Sequence, residues 1–271
     1  MSKVVLITGA TSGMGELSTK FLAQNGYIVY AGSRAQELNP SEDANIRPIY
    51  IDVTKTQTIK DAVAKIIEAE GKIDVLVNNA GYGLLATLEE GTDEEMFNQF
   101  DVNVFGLIKT TREVLPFMRE ANSGVIINIS SFLGKMGLPL LSHYNASKYA
   151  VDGIVDSLRF EVSSFNIRVH AIQSGLFGTN FVKNGLVANE KTTSENTPYK
   201  ALVDHFVPIV AKAINEGPTP QPIADAIKNI IEDENADILI PVGAEAETFV
   251  PLRKELSDKA FEQKIKETFG I

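Results

Sequence analysis

The 271-residue chain contains no cysteine, no tryptophan and only three histidines. Without cysteine there is no disulfide, no thiolate metal ligand and no cysteine nucleophile. The histidines, His143, His170 and His205, are scattered along the sequence, which disfavours a metal site. Positive charge is also scarce: 25 Lys and Arg against 35 Asp and Glu leave a formal charge of −10. Nucleic acid or an anionic membrane surface requires a basic stripe, so neither is an expected partner. No apolar run approaches the ~18 residues that cross a bilayer. Val4, Val5, Leu6 and Ile7 follow directly on Met1-Ser2-Lys3, with no basic leader and cleavage site before them. A cytoplasmic location is the expectation.

With 44% apolar and 22% charged residues, the composition is that of an ordinary globular protein. Short apolar runs at 4–7, 27–31, 48–51, 75–77, 125–129, 169–172 and 238–240 alternate with helix-period segments such as Val63, Ile66, Ile67 and Val151, Ile154, Val155, Leu158. Runs without polar alternation suit strands covered on both faces. The expected fold is α/β: a Rossmann-like doubly wound parallel sheet of about seven strands with helices on both faces, in one domain over 1–271. Turn signals crowd 177–222 around a helix expected at 199–214, and this stretch is a candidate substrate lid. A variable surface excursion is the plain alternative. Leu252, Leu256, Phe261, Ile265 and Phe269 among charges read as an amphipathic helix that either packs on the body or helps cover a site.

Gly9, Gly13 and Gly15 follow the first strand and open a helix containing Leu17, Phe21 and Leu22. Glycine permits the tight turn and lets backbone amides approach a pyrophosphate at a helix N-terminus. Gly-x-x-x-Gly-x-Gly in that context points to dinucleotide binding. The second strand ends Tyr30-Ala31-Gly32-Ser33-Arg34, without the acid that would hold an NAD ribose. Arg34 suits a 2′-phosphate instead, which favours NADP(H) with NAD(H) possible. A solvated loop arginine is the alternative.

Tyr-x-x-x-Lys occurs once, at Tyr144 and Lys148, where chance alone would give about half a match in this composition. If Tyr144 opens the helix through Val151 and Leu158, Lys148 lies one turn along on the same face. A nearby ammonium stabilises phenolate, lowering a pKa that starts near 10. Ser131 follows the 125–129 strand, at the end where ligands of parallel sheets bind, and its hydroxyl suits a carbonyl oxygen. Thr92 is expected to cap a helix whose dipole Asp93, Glu94 and Glu95 complement, in preference to a catalytic carboxylate pair. His143, beside Tyr144, is read either as a substrate neighbour or as a surface histidine.

The chain resembles the short-chain dehydrogenase/reductase family over most of its length. The motifs stand in order as Thr8-Gly-Ala-Thr-Ser-Gly-Met-Gly15, Asp52-Val53, Asn78-Asn79-Ala80-Gly81, Asn103, Ser131 and Tyr144-Asn-Ala-Ser-Lys148. Gly137-Leu138-Pro139 is similar, more weakly, to the hydroxysteroid and retinol dehydrogenase branch. The resemblance implies an oxidoreductase moving a pro-S hydride between a nicotinamide and a carbonyl or alcohol. By it, Tyr144 is the general acid for reduction and base for oxidation. Lys148 binds the nicotinamide ribose and tunes the tyrosine, Ser131 orients the substrate oxygen, and Asn103 holds a relay water. Gly9, Ser12, Gly13, Met14, Gly15, Arg34, Asp52, Val53, Asn79, Ala80, Gly81 and Thr179 would contact the cofactor. Where the family carries proline before Gly175 this chain has Ser174, which predicts a looser loop. The stripe Leu107, Val114, Leu115 and Met118 is read as core. In the family, helices of that region and after Tyr144 often meet between subunits, so a homodimer or homotetramer is expected.

Leu84, Leu85, Met136, Leu138, Leu140, Leu141, Phe177 and Phe181 flank the expected cleft, which suggests an apolar substrate. Two rivals remain: a dinucleotide-sensing regulatory protein without turnover, which would need only the glycine cradle, and an epimerase or dehydratase, whose larger sugar-nucleotide domain this chain has little room for.

Overall fold

A computed structural model describes residues 2–35, 41–179 and 185–271. Phe181 and the early part of the expected lid, 180–184, lie outside the described residues. All seven expected strands form, and they make one parallel sheet. In chain order they are β1 (Val4–Thr8), β2 (Ile28–Ser33), β3 (Ile46–Tyr50), β4 (Val75–Asn78), β6 (Gly124–Ser131), β7 (Ile167–Ser174) and β9 (Leu239–Val242). Their spatial order is β3-β2-β1-β4-β6-β7-β9, every neighbouring pair parallel. The order reverses between β1 and β4, and such a switch point opens a crevice at the strands' C-terminal ends.

Period-two alternation places successive side chains on opposite faces. Val5, Ile7, Val75, Val77, Val125 and Ile127 meet Leu22 of α1 (Gly13–Gln24) and Ile223, Ile227, Ile230 and Ile231 of α7 (Gln221–Glu232) on one side. On the other, Val4, Leu6, Leu76 and Ile126 pack on α2 (Thr56–Glu70), α4 (Leu107–Glu120) and α5 (Ser142–Val162). Of the stripe on α4, Leu107, Val114 and Met118 are buried and Leu115 packs against this core. α3 (Asp93–Phe100) begins at Thr92, whose Oγ1 accepts from Glu95 N at 3.2 Å while Glu95 Oε2 accepts from Thr92 N at 2.8 Å. This reciprocal cap is what the acids there do.

Two features lie beyond the sequence reading. A second small parallel sheet pairs β5 (Gly83–Leu85) with β8 (Leu186–Ala188). The tail is two helices, not one: α8 (Ala244–Glu255) stops at Leu256, and α9 (Asp258–Phe269) restarts from Ser257, whose Oγ accepts from Ala260 N. The 199–214 helix is present as α6 (Lys200–Asn215). No helix among the described residues is long and apolar enough to cross a membrane.

Leu6 is wholly buried between the sheet and its helices. Leu6→Ala should lower the unfolding free energy by about 2–5 kcal/mol, read from the urea midpoint at unchanged slope.

Candidate active site

The glycine loop is shaped by steric necessity. Gly9 and Gly13 adopt φ of 65° and 55°, a region that costs other residues strain. A Cβ on Gly9 would come within 2.9 Å of Ala80 Cα, and one on Gly15 would strike the Gly9 carbonyl and the Asn79 amide. The ends of β1 and β4 are sewn together here. Thr8 Oγ1 accepts from Asn79 N and Ala80 N, both at 3.1 Å, and Asn79 Nδ2 donates to Thr8 O and Gly9 O. The extended Ser12 precedes α1 without a side-chain cap, so the helix's first amides are left for another acceptor.

These elements border a cleft of about 630 Å³ lined by Gly9, Ser12, Gly13, Met14, Arg34, Asp52, Val53, Asn79, Ala80, Gly81, Tyr144, Lys148 and Thr179. Gly15 lies behind the loop, where its lack of a side chain lets helix and turn approach. Burial pushes the Asp52 carboxyl up, but hydrogen bonds from Thr54 and Lys55 outweigh it and hold the group below its usual range. The loop after Ser174 is well tied: Gly175 N donates to Val242 O, Leu176 N to Glu245 Oε2 and Gly178 N to Pro218 O.

Tyr144 and Lys148 lie on α5, and the Lys148 ammonium sits 5.7 Å from the Tyr144 ring centre. Ser131 ends β6, accepts from Leu133 N at 3.1 Å and lines the same chamber as Tyr144. The lysine is buried and donates to Ile129 O at 2.8 Å. Its pKa falls to about 8 because burial penalises the charge, with Asp152 opposing. The Tyr144 phenol is pushed up to about 12 by burial, which outweighs the Ser131 hydrogen bond. This departs from the lowered phenol expected of the pair: in the protein alone, desolvation dominates both groups.

Asn103 lies within a π-helical turn, Asp101–Gly106, between α3 and α4, a distortion frequent at functional sites and invisible to hydrophobic periodicity. Its Oδ1 accepts from Tyr82 N at 3.0 Å, and its Nδ2 donates to Tyr82 O at 2.9 Å and Ser147 Oγ at 3.1 Å. The side chain is a strut between the 81–83 turn and α5. His143 is neither a surface residue nor part of the cleft lining: it is buried against Gly91, and burial lowers its pKa while Glu95 opposes.

Next to the cleft is an apolar chamber that shares Met14, Tyr144, Ser174 and Thr179 with it. Of the expected flanking residues, Leu85, Leu138, Leu141 and Phe177 line it. Leu84, Met136 and Leu140 are absent from its lining and buried. The sequence reading missed Phe132, Leu133, Leu186 and one face of α6, namely Phe206, Ile209, Val210 and Ala213. Their i, i+3, i+4, i+7 spacing was visible, but periodicity does not say which face meets a cavity. Phe269 of α9 also reaches the chamber, so the tail does border it.

Residues 3–189 match the family model for short chain dehydrogenases. The chain belongs to the short-chain dehydrogenase/reductase family. A 3-ketodihydrosphingosine reductase of Bacteroides thetaiotaomicron is 38% identical over 242 residues, covering 89% of this chain and 88% of the relative. A crystal structure of a short-chain dehydrogenase from Streptomyces avermitilis superposes with a TM-score of 0.83 at 31% identity, covering 100% of this chain and 97% of the other. A structure of ElxO with NADP bound gives 0.72 at 25% identity over 89% and 97%. The protein is thus an oxidoreductase of this family, with its glycine loop and Tyr-Lys pair at the switch point of the sheet.

The lowered Lys148 pKa has a consequence for stability. Between about pH 8 and 10.5 the unfolded lysine holds a proton that the folded one has lost, so this group makes stability rise with pH. Below pH 8 the cost of burying the charge is fully present. Lys148→Met should therefore gain stability over wild type at pH 7, and the gain should shrink by pH 10; urea unfolding at both values measures it.

Proposed function

We propose that the protein is an NADPH-dependent carbonyl reductase acting on an apolar substrate. The observation that carries this reading is that Tyr144 lines both the dinucleotide-sized cleft and the apolar chamber, with Ser131 beside it in the chamber lining. The cleft fits a dinucleotide: the uncapped α1 amides and glycine turn suit a pyrophosphate, and Arg34 at the β2 end suits a 2′-phosphate. When bound, NADPH supplies the hydride. The structural relative ElxO binds NADP, in keeping with this choice.

Ser131 would hold the substrate oxygen beside the Tyr144 hydroxyl, and Tyr144 would deliver its proton there as the carbonyl carbon is reduced. A protonated phenol is the form needed for this direction, and a phenol pushed up to about 12 is protonated at neutral pH. Lys148 would hold the nicotinamide ribose and carry positive charge toward the phenolate that proton transfer leaves. Asn103 would brace Tyr82 and α5 beside Lys148, where the resemblance places a relay water. Asp52, Val53 and Asn79 to Gly81 would line the adenine and ribose path, with Thr179 near the nicotinamide. A small-molecule ketone, turned over by a homodimer or homotetramer in the cytoplasm, completes the proposal.

Two measurements test it. Fluorescence titration should show NADPH binding more tightly than NADH, and Arg34→Asp should weaken NADPH by about 10- to 100-fold through loss of a charge-assisted contact. Equal affinities unchanged by the substitution would refute the NADP preference. Tyr144→Phe should keep NADPH binding while the turnover rate on a reducible ketone falls by about 10²–10⁴; undiminished turnover would remove Tyr144 from the chemistry. NADPH binding without oxidation across a broad carbonyl panel would instead favour the sensing role.

A further inference from the structure

We infer that Phe269 is a specificity-determining residue: it sets the length of an uncharged hydrocarbon arm that enters between α6 and α9. The inference rests on the carbonyl-reductase reading and names the substrate class for that site.

The chamber has a polar end and an apolar end. Ser131, Tyr144, Ser174 and Thr179 stand where it joins the cleft, and among the described residues no charged side chain lines the rest. A carboxylate or ammonium carried into that end would lose its hydration with no partner, so the arm that enters must be hydrocarbon. Phe132, Phe206 and Phe269 stand in its lining, linked in series through Phe249 behind them. Phe132, next to Ser131, stacks on Phe249 at 6.5 Å. Phe249 lies 6.0 Å from Phe269, and Phe269 lies 6.2 Å from Phe206 of α6. Phe132, Phe249 and Phe206 are buried, whereas Phe269 is only partly so and faces the cavity.

Phe269 is held rather than loosely placed. Ile265 and Phe261, one and two turns earlier on α9, are buried in the same cluster. Gly270 closes the helix at φ 67°, its N–H donating to Lys266 O. His205 of α6 lies with Nε2 3.0 Å from Phe269 O, tying the two helices at this point. With Phe269 in place the chamber measures about 100 Å³, below the roughly 300–1,000 Å³ usual for ligand pockets. A ring in the wall of so small a space limits what fits, and removing it enlarges the chamber.

The test uses straight-chain methyl ketones from butanone to tetradecanone, with wild type, Phe269→Trp, Phe269→Leu and Phe269→Ala. Retained NADPH binding establishes that each variant is folded. Ketone binding is read by thermal shift in the presence of NADP, and kcat/KM by NADPH oxidation. Each added methylene should tighten binding about fourfold until a break. That break should move to shorter chains in Phe269→Trp and to progressively longer ones in Phe269→Leu and Phe269→Ala, without change in NADPH affinity. A break at the same length in all four proteins, or no ketone binding at all, overturns the inference. Binding with a Phe269-dependent break but no NADPH oxidation would leave the inference standing and defeat the carbonyl-reductase reading. Turnover with an immovable break would do the reverse.

Discussion

The contact on which the rest depends is the seam between β1 and β4. Thr8 and Asn79 exchange side-chain and backbone hydrogen bonds across it, at the one place where the strand order reverses. A parallel sheet has its strand ends together, and at a switch point the connecting helices leave in opposite directions, so a crevice must open. The seam fixes the floor of that crevice. Its closeness forces glycine at position 9, because any side chain there would meet Ala80. The same closeness leaves the α1 N-terminus facing the crevice. Cradle, cleft and catalytic helix are thus consequences of one tight junction.

Burial then decides the electrostatics. Lys148 is buried and Tyr144 half-buried, and desolvation drives the phenol up and the ammonium down. Spacing alone suggested that the lysine would depress the tyrosine; that argument holds only where Coulomb attraction exceeds the loss of hydration. The lysine's ammonium is engaged with Ile129 O, and Asp152 one turn further along α5 offsets part of its burial cost. The pair is poised so that added charge in the cleft has large leverage, since a low-dielectric surrounding screens it little.

The neighbouring chamber is built from chain segments far apart in sequence: the turn after β6, one face of α6, and the end of α9. Only the first of these lies near a recognised motif. The tail, read as a single amphipathic helix, breaks at Leu256, and Ser257 starts a new one. That break turns α9 toward His205 and Phe206. A periodic pattern shows that a face is apolar; it does not show whether core, partner or cavity covers it.

By itself the sequence determined the seven strands of the main sheet, the capped start of α3 and the places of the glycine loop and the Tyr144–Lys148 pair. These follow from local sterics and from two-residue and 3.6-residue periods, which act over a few neighbours. Only the tertiary structure decided the short β5–β8 pairing, the π-turn that aims Asn103 at Tyr82, the burial of His143 and the aromatic wall ending at Phe269. Each depends on contacts between residues far apart in the chain, for which local pattern carries no signal. The direction in which Tyr144 and Lys148 titrate belongs with them, because desolvation is a property of the folded surroundings and not of spacing.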